Sequence, residues 1–87
     1  SVGLVENDLF IKVSVFPNPN TGTVNIDLAG LKDVSIQVYN TFGQAVYHKP
    51  NISSGIHQFE LKEATGIYFV EARRVSGETH RYKLMMR

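Results

Sequence analysis

Hydrophobic and polar residues alternate along most of this chain with a period of two, the spacing that sends successive side chains to opposite faces of a β-strand. From Leu9 to Phe16, Leu9, Ile11, Val13 and Val15 share one face, while Phe10, Lys12, Ser14 and Phe16 share the other. Thr23–Leu28 alternates cleanly, with Val24, Ile26 and Leu28 inward. Val34, Ile36 and Val38 alternate in the same way with Ser35, Gln37 and Tyr39. Shorter strands are expected over Gln44–Lys49 and over His57–Lys62, where Phe59 and Leu61 form the core face. A long strand is expected from Gly66 to Val75 and a last one from Glu78 to Met86. About seven strands at this spacing predict an all-β fold, an antiparallel immunoglobulin-like β-sandwich.

Turn residues separate these runs. Pro17-Asn18-Pro19-Asn20-Thr21-Gly22 cannot continue a strand, because proline lacks the amide donor and restrains the residue before it. Asn40-Thr41-Phe42-Gly43 reads as a hairpin turn with Gly43 free to take a positive φ. Ser76-Gly77 reads as the two-residue turn of a final hairpin. Lys62-Glu63-Ala64-Thr65 tolerates a helix but is too short to make one, and Gly66 ends it. Residues 1–8 have the character of a linker, which leaves 9–87 as the folded domain. They carry neither a basic leader nor a long apolar run, and the absence of Met at the start is what a processed product or an excised fragment would show.

Composition narrows the function classes. Eighty-seven residues make one domain with a thin stability margin, and 43% apolar with 20% charged residues is the balance of a chain that folds. Without cysteine there is neither a disulfide framework nor a thiolate metal site. A net charge of +1 gives no field for a nucleic-acid partner. His48, His57 and His80 fall on three different expected strands without metal-ligand spacing, so they read as solvent-facing strand residues. The carboxylates are scattered, and no Gly-x-Ser-x-Gly elbow occurs. The expectation is a non-enzyme without metal or cofactor. Asn51-Ile52-Ser53 fits a glycosylation triplet, which has meaning only in a host with the matching transferase.

Two segments admit two readings each. Pro17–Gly22 is a rigid turn with asparagines bonding nearby backbone, the reading that physics favours, or a fixed loop that a partner reads. Arg73, Arg74, Arg81, Lys83 and Arg87 make the end of the chain basic. Such a cluster is either a solvated hairpin protected from aggregation or a footprint for an acidic receptor or lipid head groups. Lys83-Leu84-Met85-Met86-Arg87 is unusual because strand-like apolar residues run almost to the last position.

Taken in order, these segments resemble the C-terminal sorting domain of type IX secretion cargo in the Bacteroidetes. The resemblance rests on Phe16-Pro17-Asn18-Pro19 followed by Thr21-Gly22, on Val38–Gln44 with its Gly43-Gln44 turn, on Gly66-Ile67-Tyr68-Phe69-Val70, and on Tyr82–Arg87. Met85-Met86 stands where simpler aliphatics are usual, and the terminal cation is Arg87 rather than lysine. The resemblance covers the chain from about Val13 onward. It implies a tag that crosses the periplasm attached to an upstream cargo and is read by the outer-membrane translocon and its shuttle proteins. A sortase-like cysteine protease then removes the tag, within or before residues 1–8, and leaves the cargo at the cell surface or in the medium. It implies neither membrane insertion nor a nucleic-acid partner.

On that pattern the recognition residues are Pro17, Asn18, Pro19, Gly22, Gly43, Gly66, Tyr68, Lys83, Leu84, Met85, Met86 and Arg87. The last strand is the foremost candidate for direct contact by strand addition. Tyr68 and Val70 are expected to face the core, which favours a folding role for Gly66-Ile67-Tyr68. An exposed edge strand would also let two copies pair. The alternatives are an accessory β-sandwich module that binds carbohydrate or protein, and a structural spacer of a secreted enzyme. The chain has no tryptophan, and most of its tyrosines and phenylalanines can be placed in or beside the core, which counts against a flat sugar-binding face.

Overall fold

A computed structural model describes residues 12–53 and 55–87. The linker read over 1–8 and the first part of the Leu9–Phe16 strand lie outside the described residues. Seven strands follow: β1 (Ser14–Phe16), β2 (Thr23–Asp27), β3 (Val34–Asn40), β4 (Ala45–Ile52), β5 (Ile56–Glu60), β6 (Gly66–Arg73) and β7 (Thr79–Met86). They form a three-stranded sheet in the order β1-β2-β5 and a four-stranded sheet in the order β4-β3-β6-β7, every pair antiparallel. The chain changes sheet after β2, β4 and β5, which gives an immunoglobulin-like sandwich. Among the described residues there is no helix, and Lys62–Thr65 is an irregular connection with a bend at Thr65.

The inward faces are those the alternation marks. Val24, Ile26 and Leu28 from the small sheet meet Val34, Ile36, Val38, Val70 and Leu84 from the large one, all fully buried. Val13, Ile52, Phe59, Leu61, Tyr68, Ala72 and Met86 complete the core. At roughly 1.5–3 kcal/mol for each fully buried aliphatic or aromatic side chain, this layer is the main source of stability.

Most boundaries fall within a residue or two of the sequence reading, with β5 at Ile56–Glu60 rather than His57–Lys62, and two of the differences have a clear physical reason. β4 runs on through Pro50 to Ile52 rather than stopping at Lys49. It is an edge strand, where proline's missing N–H costs no ladder bond. Register shifts between Val34 and Ile36 and between Val38 and Tyr39 each insert one extra residue into β4, and Asn51 takes a positive φ of 56° beside the first. The final hairpin turns through three residues, Val75–Gly77, rather than the two of Ser76-Gly77. Arg74 N donates to Glu78 O at 2.8 Å and Gly77 N to Arg74 O at 2.9 Å, so β6 stops at Arg73, short of Val75.

The β3–β4 hairpin uses the same turn. Asn40 N donates to Gln44 O and Gly43 N to Asn40 O, each at 3.0 Å, and Gly43 sits at φ 84° as expected. A left-handed residue in third position lets a three-residue loop match the twist of its strands, and glycine takes it without a Cβ clash. Asn40 Oδ1 accepts from Phe42 N and Gln44 N, which fixes the turn.

Candidate functional site

The Pro17–Gly22 loop is organised by Asn20, the only fully buried polar residue among those described, with 0% of its surface exposed. Its side-chain nitrogen donates to Pro17 O at 3.1 Å and Thr23 O at 2.8 Å, and its Oδ1 accepts from Gly22 N at 2.7 Å. The last is an Asx turn, in which the side chain imitates backbone. A buried amide with all its partners present is rigid, and removing it would strand several backbone groups at once. Both X-Pro bonds of the loop, Phe16-Pro17 and Asn18-Pro19, are cis.

This loop closes on the end of β7. Asn20 N donates to Met85 O at 2.7 Å and Arg87 N donates to Asn20 O at 2.8 Å, a short parallel bridge beside Met86. Asn18 adds a second pair: its Nδ2 donates to Lys83 O at 2.9 Å and its Oδ1 accepts from Met85 N at 3.0 Å. Lys83, Met85 and Arg87 are the alternate residues whose backbone groups point away from β6. From Lys83 O to Arg87 N, therefore, the outer edge of β7 is taken up by the two asparagines. The first and last motifs of the chain, 65 residues apart for Asn18 and Lys83, form one clasp.

The other motif segments arrive at the same end. Pairing aligns Asn40 with Tyr68, Tyr68 with Leu84, and Gly66 with Met86. The Asn40–Gln44 turn, the start of β6, the end of β7 and the proline loop are thereby neighbours. At the surface there lie Pro17, Asn18, Pro19, Gly43, Gly66, Lys83, Met85 and Arg87, with Gly22 half-buried. Phe42, at the tip of the turn, is 87% exposed. Tyr68, Leu84 and Met86 point inward, and the Tyr68 hydroxyl donates to Ala64 O at 2.7 Å. Tyr68 and Val70 face the core, as expected. Gly66 has φ 148°, a backbone that disfavours a side chain, at the point where the chain turns into β6.

Sequence reasoning did not single out Asn20, because one asparagine in a polar loop has no periodicity to distinguish it. It also passed over Glu71, a carboxylate on the outer face of β6 that is 7% exposed and paired with Arg81 at 3.3 Å and Arg73 at 3.7 Å. The signal was present as an acid in mid-strand, two residues before Arg73 and among the cations of the last two strands.

Elsewhere, Tyr47 of β4 stacks on Phe59 of β5 at 3.8 Å between centroids, and its hydroxyl lies 2.6 Å from His57 Nε2, a polar tie between the sheets. Burial, and then the nearby charge of Lys49, lower the His57 pKa below the usual imidazole value. Burial raises the Tyr47 phenol and pushes Tyr82 up to about 12. Among the described residues no three His, Asp or Glu side chains gather to hold a metal ion.

The arrangement is suited to being recognised: it presents a rigid loop, an anchored strand end and a projecting aromatic. Curated proteins include no match to the chain. The family of secretion system C-terminal sorting domains matches it over residues 14–87. That match takes in all seven strands and both halves of the clasp, so the chain belongs to this family and is a C-terminal sorting signal of type IX secretion.

Proposed function

We propose that the clasped end is what the secretion machinery reads, and that it is read folded rather than as a linear tail. The single observation behind this is the set of four hydrogen bonds that link Asn18 and Asn20 with Lys83, Met85 and Arg87. A partner adding a strand along that edge would have to displace the loop, whereas a partner meeting the composite surface finds it ordered, with little entropy left to lose. The outer-membrane translocon and its shuttle proteins bind this end in the periplasm with the upstream cargo attached. A sortase-like cysteine protease then cuts on the N-terminal side of the folded domain, and the cargo reaches the surface or the medium. The residues of contact are Pro17, Asn18, Pro19, Gly43, Lys83, Met85 and Arg87, while Tyr68, Leu84 and Met86 shape the end from within and Gly22 and Gly66 supply its backbone turns.

The test is export of a fluorescent reporter that carries a periplasmic signal peptide and this chain, in a host with the type IX system. The wild-type fusion should reach the surface or medium. Asn18→Ala, which removes two exposed hydrogen bonds and leaves the core untouched, should be retained at least in part while remaining folded by circular dichroism. Deleting Lys83–Arg87 is less informative, since it also takes Leu84 and Met86 out of the core. Periplasmic retention of a folded wild-type fusion would sink the reading.

A further inference from the structure

The outer face of the four-stranded sheet is laid out in rows by its register. Gln37, Glu71 and Arg81 lie side by side; Tyr39, Phe69 and Lys83 form the next row; Ile67 and Met85 form the last, beside the clasp. The two rows nearest the clasp are mainly apolar, with Tyr39, Ile67 and Phe69 partly exposed and Met85 43% exposed. Cations border this strip. Arg81 is held over it by Glu71 at 3.3 Å and by the Tyr39 ring, whose centroid lies 5.8 Å from the guanidinium carbon. Lys83 is exposed, and Asn18 fixes its backbone. Arg73 stands behind at 3.7 Å from Glu71, the one acid of the face, which is largely covered.

The opposite outer face is of another kind. Its central pair is Asn25 and Gln58, hydrogen-bonded at 2.8 Å, and it exposes Phe16 and Ile56 at opposite corners, but β1, β2 and β5 contribute Asp27 and Glu60 and no lysine or arginine, so the difference between the faces is one of charge. A chain with a net charge of only +1 is therefore polarised across its thickness.

We infer that the apolar strip of Tyr39, Phe69, Ile67 and Met85, edged by Arg81 and Lys83, docks a protein of the export machinery whose contact surface is apolar and rimmed with carboxylates. The inference rests on the sorting reading and adds the partner's chemistry and the face it meets. Charge complementarity argues for this occupant. Arg81 and Lys83 are spaced and held by the sheet, so they suit carboxylates at fixed positions on a folded surface. Such pairs steer encounter and fix orientation. The strip between them offers apolar area at the centre of the contact, where charged residues are normally depleted.

Two substitutions with the same change in net charge separate the face from the overall field: Lys83→Glu on it, and Lys62→Glu just beyond β5. In the reporter assay, Lys83→Glu is expected to cut export at least tenfold and Lys62→Glu less than twofold, with both fusions folded by circular dichroism. A photo-cross-linking residue at Phe69 should capture an envelope protein with an acidic surface, and the product should disappear with Lys83→Glu; the same probe at Ile56 should give no such product. Equal export of both charge variants, with the wild type exported, would overturn the inference and leave the sorting reading intact. A folded wild-type fusion that stays in the periplasm would overturn both. Vesicles of half anionic phosphatidylglycerol provide the remaining arm: co-sedimentation of the wild-type chain, lost in Lys83→Glu, would assign the face to a membrane and not to a protein.

Discussion

Val24 and Ile26 in the three-stranded sheet and Ile36, Val38 and Leu84 in the four-stranded one are equally buried aliphatic residues, yet the surfaces behind them differ. Behind the first lie Asn25, Gln58, Asp27 and Glu60 with Phe16 and Ile56; behind the second lie Tyr39, Phe69, Arg81 and Lys83 with the largely covered Glu71. Folding needs only the inward set, because a strand's two faces are chosen independently at alternate positions. The asymmetry of the outward sets is thus not required by the core. A sandwich serving only as a spacer has no use for one basic face and one neutral-to-acidic face, and a tag to be read from one side does.

The largest expected effect tests whether the two inner faces are in fact equivalent. Ile26→Ala and Leu84→Ala should each cost about 2–5 kcal/mol in urea unfolding, through lost burial and the cavity left behind. A cost from one sheet only would mean that the sheets differ in their cores as well as their surfaces. Next comes the loop that ties the small sheet to the last strand of the large one. Asn20→Ala should cost about 1–3 kcal/mol, since it leaves buried backbone groups without their amide partner. A cost near zero would show that water enters the loop and takes the amide's place.

Smaller again is the tie between Tyr47 and His57. The folded ring binds a proton less readily than the unfolded one, whose pKa is near 6.5, so the unfolded chain gains protons first as the pH falls. Stability should be full above that value and decline as pH drops through it toward the lowered folded pKa. His57→Gln should flatten this part of a melting-temperature profile, and an unchanged slope would place the acid sensitivity elsewhere. The smallest effect is at Lys83 itself. Lys83→Glu should change unfolding free energy by no more than about 0.5 kcal/mol, as exposed positions usually do, while export falls by the expected tenfold or more. A larger loss would make its phenotype one of folding.

The sandwich could be read from the sequence because alternation reports faces directly, and Val24, Ile26, Leu28, Val34, Ile36 and Val38 all point where it says. Pairing was not legible, since a period of two is silent about neighbours. The passage of β4 through Pro50 was hidden for that reason: only its position at an edge makes the proline harmless. The same limit applied to the site. Arg73, Arg74, Arg81, Lys83 and Arg87 were visible as a cluster in the chain, but register divides them. Arg81 and Lys83 border the apolar strip, whereas Arg74 is occupied in its own turn with Glu78 at 3.4 Å. The role of Asn20 depends on a strand more than 60 residues away, which no local pattern could indicate.

The clasp also reports on completeness. Its two halves lie near opposite ends of the domain's sequence, so it is a non-local contact, the class whose loop-closure cost makes folding slow. A half-made domain has the proline loop without its strand, or the strand with its edge bare. Whatever reads the clasped end is therefore also reading a completion stamp, and a misfolded cargo tail would fail to present the address as well as the structure.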